Sequence, residues 1–220
     1  MSDTAQYTLK RDITTYNYPS HMTRPEGFFG SNFFEKWIPN WEKNLKDLRG
    51  QPNVIGIEIG VLNGDCAVFC AERIANGSGS MHYAVDINET DHLKNNIAPY
   101  VGKNITFIKG RSYDVLRTAF KEKTADYIYI DGSHLAIDVL SDAVLAWSLL
   151  KDNGILIFDD YGWGAHTTDE KQKPKLAIDA FLTGYTGHAT VIEAGWQVFV
   201  KKLPYTYSKE ELEANYQPAE

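Results

Sequence analysis

The regular alternation of short apolar runs with amphipathic stretches constrains the fold of this chain more than any other feature. Apolar runs of strand length begin near positions 53, 81, 105, 125 and 154, and a helical pattern follows each of them. Such strands, separated by helices, are typical of a parallel sheet covered on both faces. Two further runs flank Gly195 and predict an antiparallel hairpin at one edge. The sequence therefore predicts an α/β fold with a doubly wound, mostly parallel seven-stranded sheet and an antiparallel C-terminal hairpin.

The chain is 220 residues long and has no internal repeat or linker, which favours one domain. We expect an N-terminal arm or lid over 1–30, a single domain over 31–204 and an acidic tail over 205–220. The domain is expected to begin with an amphipathic helix that starts near Ser31, is interrupted at Pro39 and ends at Gly50. Its apolar stripe consists of Phe34, Trp37, Trp41, Leu45 and Leu48.

Charge and composition exclude some classes of partner. The formal net charge of −7 argues against a large binding surface for nucleic acid or an anionic membrane. The first residues have no apolar segment of signal-peptide length, and no later run is long enough to span a membrane, so we predict a cytoplasmic protein. Cys66 and Cys70 lie four residues apart in a predicted helix, and we expect two reduced, buried thiols.

The first strand-to-helix turn, "EIGVLNGD", points to a nucleoside ligand. Gly60 and Gly64 allow a sharp turn and close approach to a ligand, but the G-x-G-x-x-G pattern of dinucleotide sites is absent. Glu58 would repel a pyrophosphate, whereas Asp86 ends the second strand where an acid accepts hydrogen bonds from both ribose hydroxyls. This combination suits S-adenosylmethionine, a nucleoside without phosphates that carries a positive group. Purely structural glycines in an ordinary turn remain an equal alternative from this segment alone.

The end of the fifth strand, "GILIFDDYGWG", places two adjacent carboxylates, Asp159 and Asp160, at the mouth of a buried strand. Like charges there repel each other and resist desolvation, so a compensating partner is expected. The alternative is that one caps a helix and the other is a solvated turn residue. Asp131 ends the neighbouring strand and should lie close to the pair. An all-carboxylate cluster would be suited to Mg²⁺, Mn²⁺ or Ca²⁺.

The segments "IDGSH", "ILIFDDY" and "KPKLAIDAF" resemble class I S-adenosylmethionine-dependent methyltransferases, in the branch that methylates small-molecule hydroxyls with a divalent metal. The chain looks most like the antibiotic-sugar O-methyltransferases and, more distantly, catechol O-methyltransferase. The resemblance covers about residues 51–201. It implies a Rossmann-like sheet, S-adenosylmethionine as cofactor, Mg²⁺ or a similar ion, and a small hydroxyl acceptor, with a sugar favoured.

The resemblance also implies roles for individual residues. Asp131, Asp159 and Asp160 would bind the metal, and the catalytic residues would be His134, as the base, and Asp131. Some family members carry an Asp two residues after the first metal ligand, where this chain has Ser133, which makes His134 the better candidate. The implied cofactor-binding residues are Glu58, Gly60, Gly64, Asp86, Gly110, Ser112, Tyr113 and Asp131.

Other residues carry weaker predictions. Trp163 and His166 are candidates for the acceptor pocket, and Lys173 and Lys175 for an anion contact or, more simply, a solvated basic turn. Aromatic and histidine side chains of the N-terminal arm could close over the substrate or form a dimer contact; these are Tyr16, Tyr18 and His21. The alternatives to a methyltransferase are an NAD- or nucleotide-sugar-dependent oxidoreductase and a non-catalytic interaction module.

Overall fold

The computed structural model describes residues 33–208 and contains the predicted alternation of strands and helices. The strands are β1 Ile55–Ile59, β2 Met81–Asp86, β3 Ile105–Lys109, β4 Ala125–Ile130, β5 Leu150–Phe158, β6 Ala189–Ala194 and β7 Val198–Lys202. The helices are α1 Ile38–Asn44, α2 Asp65–Arg73, α3 Asp91–Ile97, α4 Ser112–Thr118, α5 Ala136–Leu149 and α6 Pro174–Gly184.

The seven strands form one sheet in the order β3-β2-β1-β4-β5-β7-β6. The first five strands pair in parallel, and β7 runs antiparallel to both β5 and β6. The predicted α/β class, parallel core and antiparallel hairpin are confirmed. The hairpin joins the sheet through its second strand, which leaves β6 at the edge, and β6 accordingly alternates between half-buried and exposed residues.

The core lies on both faces of the sheet, as expected for strands that are apolar throughout. Gly56 of β1 shows how tightly one face is packed. A Cβ atom on Gly56 would lie 2.1 Å from Cζ of Tyr127, a fully buried side chain of the neighbouring strand β4. Only glycine leaves room for the Tyr127 ring, so a larger residue at position 56 would exclude tyrosine from this position of β4.

The predicted N-terminal helix is divided into short pieces. Glu35–Trp37 and Lys46–Leu48 are 3₁₀ turns on either side of α1, and Pro39 lies in the first turn of α1. Because proline has no N–H group, it is tolerated at the start of a helix and not in its interior. Ser31 and the predicted arm over 1–30 lie outside the described residues, as does most of the predicted tail, so the domain boundaries stay predictions.

The described part of the chain also agrees with two other expectations. Cys66 and Cys70 of α2 are free and buried, with 3.8 Å between their sulfur atoms. Within residues 33–208, no helix combines the length and the apolar character that crossing a membrane requires.

Candidate active site

The carboxyl ends of the parallel strands surround a cavity of about 1060 Å³. Small-molecule sites usually measure about 300–1,000 Å³, so this one can hold more than one small molecule. Every predicted site residue except Gly64 lies on its wall. These residues are Glu58, Gly60, Asp86, Gly110, Ser112, Tyr113, Asp131, His134, Asp159 and Asp160. In an open α/β sheet, ligands bind at this edge.

The first turn depends on two glycines in the left-handed region. Gly60 has φ of +84°, and a Cβ atom there would lie 2.1 Å from the backbone oxygen of Asp131. Gly64 has φ of +86° and precedes α2, so it shapes the turn without lining the cavity. These conformations, and the close approach at Gly60, exclude larger side chains. The turn therefore brings the end of β1 against the end of β4.

Asp86 supports this turn from the neighbouring strand. Its Oδ2 accepts hydrogen bonds from the backbone N–H groups of Val61 and Leu62, at 2.8 and 3.3 Å. Its Oδ1 accepts one from the N–H group of Asn88 at 2.8 Å. Asp86 thus shapes the cavity wall in addition to facing the cavity, and its predicted contact with a ribose remains a prediction.

Glu58 lies at the cavity wall in a buried hydrogen-bonded chain. Its Oε2 is 2.8 Å from His82 Nε2, and His82 Nδ1 is 2.8 Å from the Tyr127 hydroxyl. Burial raises the pKa of Glu58 to about 7, although the bond from His82 acts in the opposite direction. His82 is therefore the partner that makes a buried carboxylate tolerable at this position.

The acidic cluster is held from behind by polar side chains of the core. The Tyr129 hydroxyl lies between Asp131 and Asp159, 3.0 Å from Asp131 Oδ2 and within hydrogen-bond distance of Asp159 Oδ2. Gln197 Nε2 donates to the same Asp159 oxygen at 2.9 Å, and Gln197 Oε1 accepts from the indole of Trp41 at 3.0 Å. These bonds offset part of the repulsion between the carboxylates.

Asp160 links the cluster to His134. Its backbone is in the left-handed region, with φ of +59°, and its Oδ2 lies 2.7 Å from His134 Nε2. Its Oδ1 accepts a hydrogen bond from the Trp196 indole at 3.0 Å. The imidazole of His134 stacks on Trp163, with ring centroids 4.3 Å apart. The His134 ring is therefore oriented by the Asp160 carboxylate at its edge and by the Trp163 indole against its face.

The cluster nevertheless carries excess negative charge. Asp131 is open to the cavity, but enclosure by the surrounding protein, and then the nearby charges of Asp159 and Asp160, raise its pKa well above the usual range. Burial also raises the pKa of Asp159. A divalent cation would relieve this repulsion, and an all-oxygen donor set fits a hard cation such as Mg²⁺.

The carboxylates have the oxygen donors that a hard metal ion requires, but their positions are less favourable to metal binding. Within residues 33–208, no group of three or more His, Cys, Asp or Glu side chains is positioned to hold a metal ion. Both oxygens of Asp160 and both oxygens of Asp159 already have hydrogen-bond partners in the protein. The metal site accordingly stays a prediction.

The weaker predictions have mixed outcomes. Trp163 lines the cavity, whereas His166 is exposed and is not among the lining residues. Lys173 pairs with Glu170 and Lys175 with Asp179, which fits the simpler interpretation of a basic turn.

Sequence reasoning missed several residues that shape the site: His82, Tyr129, Asp142, Trp196 and Gln197. One of them left a usable signal. Side chains alternate along a strand, so Tyr129 is expected on the same face as Asp131, two residues later. The others come from distant parts of the chain and have no local signal.

Comparisons with known proteins support an assignment for this site. Residues 57–161 match the family described as "Methyltransferase domain". This range runs from within β1 to just beyond β5 and includes the acidic cluster. No curated protein matches the chain at a significant level.

Several solved structures share the fold. MycE from the mycinamycin biosynthetic pathway, in complex with Mg, SAH and mycinamycin VI, is 18% identical with a TM-score of 0.58, over 79% of this chain and 51% of MycE. This chain therefore spans about half the length of MycE. An O-methyltransferase from Bacillus cereus, in complex with SAH, is 18% identical with a TM-score of 0.55, over 67% of this chain and 73% of that one. A protein from Corynebacterium glutamicum is 18% identical with a TM-score of 0.54, over 70% and 74% of the two chains. At such identities the likeness shows the fold: the chain has a Rossmann-like methyltransferase fold, in agreement with the family match over residues 57–161.

Proposed function

We propose that the chain transfers the methyl group of S-adenosylmethionine to a hydroxyl of a small molecule, with a sugar as the favoured acceptor. The observation that carries this proposal is the single cavity in which Glu58 and Asp86 share a wall with Asp131, His134 and Asp160. The first two residues suit a cofactor that has a cationic end and a ribose. The other three suit the activation of an acceptor oxygen.

The cofactor would lie against the first turn. Glu58 would face its cationic methionine end, Asp86 its ribose, and Gly110 with Ser112 and Tyr113 its base. S-adenosylmethionine supplies a methyl group that its sulfonium sulfur makes easy to transfer. The chain's contribution to this step is to hold the methyl carbon in line with the acceptor oxygen, since orientation alone can contribute several kcal/mol, roughly 7–11 in well-aligned systems.

His134 is the proposed base. With Nε2 donating to Asp160, the lone pair resides on Nδ1, which is then able to accept the proton of the acceptor hydroxyl. The acceptor oxygen forms a bond to the methyl carbon while the carbon–sulfur bond breaks and its electron pair stays on sulfur. The proton ends on His134, and no covalent intermediate with the protein is needed.

A divalent cation is part of the proposal. Asp131, Asp159 and Asp160 would hold Mg²⁺, or Mn²⁺ or Ca²⁺ in its place. When bound, such an ion lowers the pKa of a hydroxyl and orients it. Treatment with a chelator is expected to abolish methyl transfer and to leave SAH binding within about twofold, and added Mg²⁺ should restore the activity. Full turnover in a metal-free, chelator-treated preparation would remove the ion from the mechanism.

The sugar preference is supported by the aromatic side chains on the wall. Trp37, Trp163 and Trp196 line the cavity; Trp196 bonds to Asp160, and Trp163 stacks on His134. Indole faces pack against the apolar faces of sugar rings, while carboxylates accept hydrogen bonds from sugar hydroxyls. MycE, whose solved complex holds mycinamycin VI, has the same fold.

The test is a methyl-transfer assay with S-adenosylmethionine labelled in its methyl group. The acceptors are a panel of free sugars, glycosides and catechols, each assayed with and without Mg²⁺. We expect label in a sugar-bearing product. Label only in catechols would overturn the sugar preference. A protein that binds NADH, as followed by fluorescence, and does not bind S-adenosylmethionine would favour the oxidoreductase alternative.

A further inference from the structure

Asp142 is a buried acid on the cavity wall that no step of the proposed mechanism uses. It lies within α5, its exposed fraction is 3%, and it lines the cavity. Helix α5 packs against α4, and the side chain of Asp142 interacts with that of Ser112, the first residue of α4. Two sequence-distant elements thus bring a carboxylate and a hydroxyl together at one part of the wall.

This carboxylate is poorly compensated. An ionised carboxylate offers about four acceptor positions, and a single hydroxyl fills one of them. Burial raises the pKa of Asp142 to about 6, the Ser112 bond acts in the opposite direction, and the charge of Asp138 adds to the increase. A buried carboxylate with so few hydrogen-bond donors around it favours a ligand that supplies N–H groups.

Asp138, one helical turn earlier on α5, differs in this respect. Its Oδ2 accepts a hydrogen bond from the Ser133 hydroxyl at 2.7 Å, and the side chain is only half-buried. Asp138 also lines the cavity, so the two acids form a natural pair for comparison. They share a helix, a charge and a cavity and differ in burial.

We propose that Asp142 selects the base of the cofactor by accepting a hydrogen bond from the exocyclic amino group of adenine, with Ser112 holding the carboxylate in place. This inference rests on the proposed binding of S-adenosylmethionine in the cavity. The amino group is the hydrogen-bond donor on the six-membered ring of adenine. A base with an oxygen at that position would place an acceptor against the ionised carboxylate, so the contact would be lost or would require a proton on Asp142.

Sites built to hydrogen-bond a polar group reject analogues that lack it strongly, by about 10⁴-fold or more in the best cases. For one carboxylate at a cavity wall we expect a preference for adenine over hypoxanthine of roughly 100-fold. Asn at position 142 can donate to an oxygen as well as accept from an amino group. The Asp142→Asn variant should therefore lose most of this preference.

The experiment is calorimetric titration of the full chain with SAH and with its deaminated analogue, S-inosylhomocysteine. We expect the wild type to prefer SAH by roughly 100-fold, Asp142→Asn to show a preference below about tenfold, and Asp138→Asn to keep the wild-type preference. Asp142→Ser is a second variant with the same expected loss. The ratio of the two affinities comes from one protein preparation, so partial unfolding changes both affinities and leaves their ratio unchanged.

Two outcomes would overturn the inference: an Asp142 variant that keeps the wild-type preference, or a preference lost in Asp138→Asn instead. Failure of the proposed function would look different, because the wild type would then bind neither compound.

Discussion

His82 Nε2 lies 2.8 Å from Glu58 Oε2, and both side chains are buried on the adjacent strands β2 and β1. The other nitrogen of the same imidazole lies 2.8 Å from the Tyr127 hydroxyl, in a space that exists because residue 56 is glycine. A carboxylate at the cavity wall is thus tied to the centre of the sheet by a histidine. The cofactor side of the site and the stability of the core depend on the same contact.

Replacing His82 by leucine should destabilise the fold. The substitution removes the partner of Glu58 and leaves a buried acid beside an apolar side chain. Breaking a buried pair in this way costs about 3–5 kcal/mol. Urea denaturation followed by circular dichroism measures the change, with the conservative variant His82→Gln expected to lose less. A change below about 1 kcal/mol for His82→Leu would show that the contact contributes little.

The stability of the fold should decrease as the pH rises. Burial raises the pKa of Glu58 from 4.5 to about 7. Burial alone would lower the pKa of His82, but Cys70 and Glu58 outweigh it and raise this pKa from 6.5 to about 10. Burial alone would raise the pKa of Cys70, but its hydrogen bond with Cys66 and the charge of His82 lower this pKa from 9.0 to about 5, so the proton that His82 gains on folding is offset by the one that Cys70 loses. The raised pKa of Glu58 leaves the folded chain with more bound protons than the unfolded chain, and that stabilisation is lost as the pH rises from about 4.5 to about 7.

We therefore expect the urea midpoint to decrease between about pH 4.5 and pH 7, the unfolded and folded pKa values of Glu58. The decrease should be absent in Glu58→Gln, which lacks the titrating carboxyl group. A midpoint that increases between about pH 4.5 and pH 7 would contradict the raised pKa of Glu58.

Gly60→Ala should impair cofactor binding as well as stability. The new Cβ would lie 2.1 Å from the backbone oxygen of Asp131, in addition to the strain of alanine at φ of +84°. Gly50→Ala is a matched control, because Gly50 has φ of +73° and no atom within 4 Å of its Cβ position. Strain alone costs about 1–2 kcal/mol.

Thermal melting and SAH titration of both variants separate strain from the clash. Gly60→Ala should lose clearly more stability than Gly50→Ala, and its SAH affinity should decrease by at least about tenfold, which corresponds to about 1.4 kcal/mol. Equal losses in the two variants would mean that the approach of β1 to Asp131 is not required.

His134→Ala should lower methyl transfer without affecting cofactor binding. Loss of a general base reduces turnover by about 10²–10⁴-fold. SAH affinity should stay within about twofold, because His134 contacts Asp160 and Trp163 on the acceptor side. His166→Ala is the control, because His166 lies in the loop after β5 and does not line the cavity. Similar losses of turnover in both variants would argue against His134 as the base.

The sheet could be predicted from the sequence because the pattern that indicates it is local and recurs along the chain. Each parallel strand is a continuous apolar run, and each is followed by a helical pattern. Pro39 shows the limit of this reasoning. The sequence predicts that it interrupts the N-terminal helix, but the division of that helix into two 3₁₀ turns and α1 depends on packing around the buried Trp41. The position of a strand within the sheet also depends on distant parts of the chain. Nothing in the sequences of β6 and β7 indicates that β7 lies between β5 and β6.

The site was predicted to the extent that it lies at strand ends. Asp131, Asp159 and Asp160 were expected together, and all three line one cavity. Their partners were not expected, because Gln197 and Trp196 reach the cluster from the C-terminal hairpin and no spacing in the sequence connects them to it. In the sequence, Asp142 looks like any polar residue of a helix, because its place at the cavity wall depends on the packing of α4 against α5.

The most direct test of the central claim is a calorimetric titration of the full chain with SAH. The account predicts saturable binding of one SAH per chain, with a Kd in the micromolar range, equivalent to roughly −8 kcal/mol. A well-folded protein, verified by circular dichroism, that shows no heat of binding with SAH or with S-adenosylmethionine would contradict it.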